Sequence, residues 1–122
     1  AVGRLDDAVY AYEHILLEDK TYREPYLKLA NIYLNSGFYD VAIGYVYSGL
    51  RNSTQKYNWV EQSPTWKYLA DDTLSLAYFN IGEYEKAVQH CQSALQYVPN
   101  DERIRNNLNL FLSTYQEQLN NN

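Results

Sequence analysis

Apolar positions recur along this chain every three or four residues, with polar residues filling the intervals. Tyr26, Leu29, Ala30 and Tyr33 form one such stripe, the spacing of an amphipathic helix. It breaks at Asn35-Ser36-Gly37, and a second stripe breaks at Asn80-Ile81-Gly82. Glycine tolerates the left-handed backbone that closes a helix, so both tripeptides read as helix ends. Pro99 stops a later stripe, and Asn100 or Asp101 stands where the following helix needs a cap. The pattern predicts helices near 5–18, 24–36, 38–52, 70–81, 83–97 and 101–119, and hence an all-α fold.

The helical pattern repeats. Leu29, Ala30, Tyr33, Gly37, Tyr39, Ala42, Val46 and Gly49 return without gaps as Leu74, Ser75, Tyr78, Gly82, Tyr84, Ala87, Cys91 and Ala94, at a constant offset of 45. A half-copy, Gly3, Leu5, Ala8, Tyr12 and Ile15, precedes the corresponding residues of the first full copy by 34. The same step of 34 carries Leu74 and Tyr78 onto Leu108 and Leu112, so about eleven residues are inserted between the full copies. Small residues, Ala42 with Gly49 and Ala87 with Ala94, lie two turns apart on the second helix of each copy, where bulk would push the helix pair apart.

Composition narrows the picture. The chain has 122 residues, 46% of them apolar, enough for one domain with a core. Its longest apolar runs fall far short of the ~20 residues of a membrane helix, and its start has no signal-peptide profile. A single cysteine excludes an internal disulfide and a Cys-rich zinc site, and fits a reducing compartment; a cytoplasmic location is expected. A net charge of −5 argues against a general grip on nucleic acid, which needs a concentrated basic face.

Candidate chemistry is sparse. Asp71 and Asp72, like Asp6 and Asp7, stand near an expected helix start, where an aspartate satisfies free backbone N–H groups. No phosphate-binding loop, His-Glu-x-x-His or nucleophile elbow occurs, so no catalytic, cofactor or metal residue is expected. Cys91 falls on a core position of the repeat, which makes it a small buried hydrophobe; His14 and His90 are expected on solvent or at a seam. Of the 14 tyrosines, Tyr12, Tyr33, Tyr39, Tyr78 and Tyr84 fall on core positions, which explains them by packing rather than by base or sugar stacking.

A small residue with Tyr three positions on, Gly and Tyr at the turn, Ala and Ala in the second helix, and a closing Pro are the marks of the tetratricopeptide repeat (TPR). Residues 68–101 carry them as Ser75, Tyr78, Gly82, Tyr84, Ala87, Ala94 and Pro99, with Cys91 where an aromatic is commoner. Residues 23–56 resemble the same unit, with Gly49 for Ala and Thr54 for Pro. The resemblance implies an antiparallel helix-turn-helix TPR solenoid in a single domain. It comprises a half repeat (1–22), a repeat (23–56), a Trp-containing insertion (57–67), a repeat (68–101) and a C-terminal capping helix (102–122). The half repeat lacks its first helix, so the segment is expected to begin inside a longer polypeptide. The stripe expected on the last helix is Ile104, Leu108, Leu112 and Tyr115.

In such repeats the first helices line a concave surface. The resemblance places Leu27, Asn31, Leu34 and Asn35 there, then Asp72, Leu76, Phe79 and Asn80, then Arg103, Asn106 and Leu110. That groove is apolar with amide and charged punctuation, suited to a peptide, a protein helix or the rest of its own parent chain. The clamp that some of these repeats use for a C-terminal carboxylate is matched only by Asn31 and Arg103; Leu27, Thr73 and Asn107 stand where its other members belong.

The insertion holds Trp59 and Trp66, which are expected to fold back over a repeat junction or the groove mouth, or to serve as partner contacts. The order from Arg51 through Tyr57, Trp59, Glu61, Trp66 and Asp72 to the PNDERIRNNLNLF of Pro99 to Phe111 resembles the C-terminal helical tail of family 2 glycosyltransferases. Leu69-Ala70 departs from the Pro-Tyr frequent in such tails. This resemblance implies a catalytic domain upstream and a non-catalytic role here, positioning an acceptor or partner. The alternative is a self-associating segment whose open apolar face a second chain covers.

Overall fold

The computed structural model describes residues 2–20, 23–53 and 64–121. They form six α-helices: α1 (Val2–Glu18), α2 (Glu24–Asn35), α3 (Tyr39–Ser53), α4 (Pro64–Asn80), α5 (Tyr84–Tyr97) and α6 (Glu102–Asn120). The described residues contain no strand, and none of their helices is long and apolar enough to cross a membrane.

The two glycine turns close as the sequence requires. Gly37 has φ +86° and Gly82 φ +83°, the left-handed region that a Cβ penalises. At the first turn the Phe38 N–H donates to the Tyr33 carbonyl at 2.9 Å and the Gly37 N–H to the Leu34 carbonyl at 3.2 Å. At the second, Glu83 donates to Tyr78 at 2.9 Å and Gly82 to Phe79 at 3.1 Å. This paired closure is the Schellman motif, which satisfies carbonyls left open by the last turn. Its usual apolar clasp is present at the first turn, where the Phe38 ring meets the edge of Tyr33. Asp101 caps α6 as expected, its side chain accepting the Ile104 N–H at 3.0 Å.

The chain divides into two compact units, α1 to α3 and α4 to α6. In the first, α2 packs against α3 and, less extensively, against α1. Tyr33 stacks on Tyr45 near the turn while Tyr26 meets Gly49 far from it, so α2 and α3 run antiparallel. Leu29, Ala30, Ala42 and Val46 are fully buried between them. In the second unit α5 packs against both α4 and α6, and Leu74, Ser75, Ala87, Cys91 and Ala94 are buried. These are the residues that the offset of 45 aligns with the first core. Burial of the larger of them contributes on the order of 1.5–3 kcal/mol each.

Five expectations are corrected. The fourth helix starts at Pro64, not near residue 70, so Trp66 belongs to α4 and is buried there. A proline in the first turn gives up no hydrogen bond, because that N–H has no helical partner anyway. Asp71 and Asp72 therefore lie mid-helix and cap nothing. Asp6 and Asp7 do not open α1 either, since it starts at Val2. In α6, Ile104 and Phe111 are buried while Leu112 is 41% exposed: the covered face is the one equivalent to Ala70 and Ala77 of α4, also buried. Tyr78 is buried as expected, whereas Tyr12, Tyr33, Tyr39 and Tyr84 are half-buried, their rings spanning core and surface.

Candidate functional site

Within the second unit, α4 and α6 bring together much of the expected docking surface. Arg103, exposed on α6, donates through Nη2 to Asp72 Oδ2 on α4. That hydrogen bond raises the Arg103 pKa further above its ordinary value. The other carboxylate oxygen, Asp72 Oδ1, is buried and has no hydrogen-bond partner among the described residues. Its charge reaches Cys91, whose thiol is pushed up to about 11, first by burial and then by Asp72, with Arg103 opposing. The fully buried Cys91 Sγ donates to the Ile104 carbonyl at 3.4 Å, so the thiol is a packing group and not a nucleophile.

Along the same face Phe79 stacks on Phe111 with centroids 4.5 Å apart and also meets Tyr84 at 5.3 Å. Phe79 thus holds three helices together rather than standing open to a ligand. Leu76 is half-buried; Asn80, Asn106 and Leu110 are exposed, with the Asn80 amide donating to the Leu76 carbonyl. In the first unit, Asn31 and Leu34 are half-buried and Asn35 is exposed on α2. Leu27, expected beside them, is buried instead: α2 is covered by α1 as well as α3, and position 27 is drawn into that core. Trp59 lies outside the described residues, and Trp66 is a core residue rather than an exposed contact.

Two tethered rings at aligned positions escaped the sequence reading. His90 on α5 stacks on Tyr78 at 5.5 Å with the planes 13° apart, and its Nδ1 is 2.9 Å from Asp71 Oδ1 on α4. Lys86 Nζ lies over the same Tyr78 ring. Forty-five residues earlier, Tyr45 stacks on Tyr33 at the same 5.5 Å and 13°, and its hydroxyl donates to Glu13 on α1 at 2.9 Å. Burial and that carboxylate push the Tyr45 phenol up to about 12. The signal was the offset itself, which maps Tyr45 onto His90; what it did not carry was the source of the carboxylate. His14, by contrast, is exposed, 3.7 Å from Glu18 and stacked on Tyr10.

No group of three or more His, Cys, Asp or Glu side chains among the described residues is arranged to hold a metal ion. These faces carry amides, one buttressed ion pair and half-covered apolar side chains. Compared with protein-family models and with curated proteins, the sequence has no match.

Proposed function

We propose that this chain is a non-catalytic tetratricopeptide-repeat module that docks a protein or peptide on the face carried by its first helices. The supporting observation is the agreement between two hairpins that differ at most aligned positions: Leu29 with Leu74, Ala30 with Ser75, Ala42 with Ala87, Val46 with Cys91 and Gly49 with Ala94 are all buried. A repeat that keeps its core while varying its surface reserves the surface for recognition. On α4 and α6 the docking groups are Leu76, Asn80, Arg103 and Asn106, with Asp72 holding the Arg103 guanidinium in place. Asn31, Leu34 and Asn35 offer the equivalent face of α2.

Selection of peptides from a random library against the chain tests this reading. Leu76→Ala combined with Asn106→Ala should weaken a selected peptide about tenfold or more with helicity unchanged; unaltered binding removes the docking face. Phe79 is unsuited to the test, because its loss would unstack Phe111 and Tyr84. We further propose, from the order of residues 51–111 alone, that the module belongs to the C-terminal part of a family 2 glycosyltransferase, where it would position an acceptor or partner. The coding sequence upstream of Ala1 decides this: a catalytic domain with an acidic metal-binding motif supports it, and further repeats there remove it.

A further inference from the structure

Arg103 brings a positive charge to the docking face of α4 and α6, and that charge is already answered from within the fold. Along its own stripe of α6 follow Asn106 and Leu110, three and seven residues on; along the stripe of Asp72 on α4 follow Leu76 and Asn80, four and eight residues on. All four are uncharged. Asp72 accepts from Arg103 Nη2, and its side chain is only 13% exposed, so the opposing charge is fixed in the protein and poorly screened by salt. Asp101, whose side chain caps α6, adds a second negative charge that reaches Arg103. One cation against two carboxylates leaves no net positive charge at this point of the face. The Arg103 side chain is nevertheless 56% exposed, and a guanidinium has five N–H donors in a planar fork, of which Asp72 engages the Nη2 end.

We infer that the partner is an extended segment that is uncharged where it meets Arg103, and that the spare guanidinium donors take a neutral acceptor, a main-chain or amide carbonyl. Asp72 is then a specificity-determining residue that acts through Arg103: it cancels the attraction that an unpaired arginine exerts on a carboxylate. A partner carboxylate here would either displace Asp72, leaving a mostly covered charge without its cation, or sit against two like charges. Both cost more than an exposed ion pair returns. A carbonyl meets neither penalty. Asn106, exposed one turn along, both donates and accepts as a peptide main chain requires, and Leu76 and Leu110 suit apolar side chains.

The inference rests on the docking face proposed above and names its partner's chemistry. Peptides with blocked ends are selected against the full chain from two random libraries, one of uncharged residues and one with Asp and Glu added. Uncharged binders should emerge from both without enrichment of acidic residues, and their affinity should change less than about twofold between about 0.05 and 0.5 M NaCl. Arg103→Lys, which keeps the ion pair and gives up the planar fork, should weaken such a peptide about fivefold or more. Asp72→Asn keeps an acceptor for Arg103 and removes the charge. With helicity unchanged, it should favour a glutamate-bearing form of the peptide over its glutamine-bearing form by about three- to fivefold relative to the unaltered chain. Should Asp72→Asn unfold, the salt response of the unaltered chain and the effect of Arg103→Lys decide. Enrichment of acidic residues by the unaltered chain, binding that falls steeply with salt, or indifference to Arg103→Lys overturns this inference and leaves the docking face standing. Failure of both libraries removes the docking face and the inference with it.

Discussion

A Cβ added at Gly49 would stand 2.9 Å from the Cβ of Tyr26, closer than such atoms approach. The glycine is what lets α3 lie against α2 where a tyrosine occupies the facing position. Forty-five residues on, the facing residue is Asp71 and alanine takes the place of glycine, as Ala94.

Gly49→Ala should then lower stability by about 1–2 kcal/mol, the overpacking cost exceeding the ~1 kcal/mol of helix propensity gained. Gly44→Ala on the same helix meets nothing within 4 Å and should raise stability by up to about 1 kcal/mol. Urea unfolding of the two variants measures both, and equal effects would show that the Tyr26 contact is not limiting.

The covered face of α6 can be read by truncation. Phe111 is 1% exposed and stacked on Phe79, so Phe111→Ala should cost about 3–5 kcal/mol. Its neighbour Leu110, expected on a docking groove, is 52% exposed, and Leu110→Ala should change stability by less than about 0.5 kcal/mol. Comparable losses at the two positions would contradict the observed phase.

The Asp71–His90 pair links α4 to α5 from half-buried positions, and a double-mutant cycle with Asp71→Asn and His90→Gln should give a coupling of about 0.5–1.5 kcal/mol. The exposed His14–Glu18 pair, one helical turn apart at 3.7 Å, should couple by no more than about 0.5 kcal/mol. A larger value for the exposed pair would refute the role given to burial.

Cys91 ties stability to alkaline pH. Its thiol is pushed from 9.0 to about 11, because burial and Asp72 disfavour the thiolate. Folding thus holds a proton that the unfolded chain releases above pH 9, so the contribution is complete below pH 9 and is lost as pH rises towards 11. The expected loss is about 2–3 kcal/mol over that window. Tyr45, raised from 10.0 to about 12, acts in the same direction at higher pH. Chemical denaturation at pH 8 and pH 10.5, with Cys91→Ala as the reference, isolates the thiol. In the native protein at pH 8 the thiol should react with an alkylating reagent far more slowly than after unfolding.

The sequence by itself determined what depends on near neighbours: apolar spacing that can only be helical, glycines at the two left-handed turns, the Asp101 cap, and a repeat whose aligned positions are buried alike in both hairpins. Those features are local, or recur at a fixed step, and so are written in the order of residues. Tertiary structure decided the rest. It carried α4 back to Pro64 and Trp66 into the core, drew Leu27 inward under α1, and turned Phe79 from a groove residue into a stacking bridge. It also gave Asp71 to His90 and Asp72 to Arg103 where the local pattern suggested caps. A carboxylate's partner, or the face a helix covers, depends on which other helix lies across the seam, and residue spacing along one helix does not encode that.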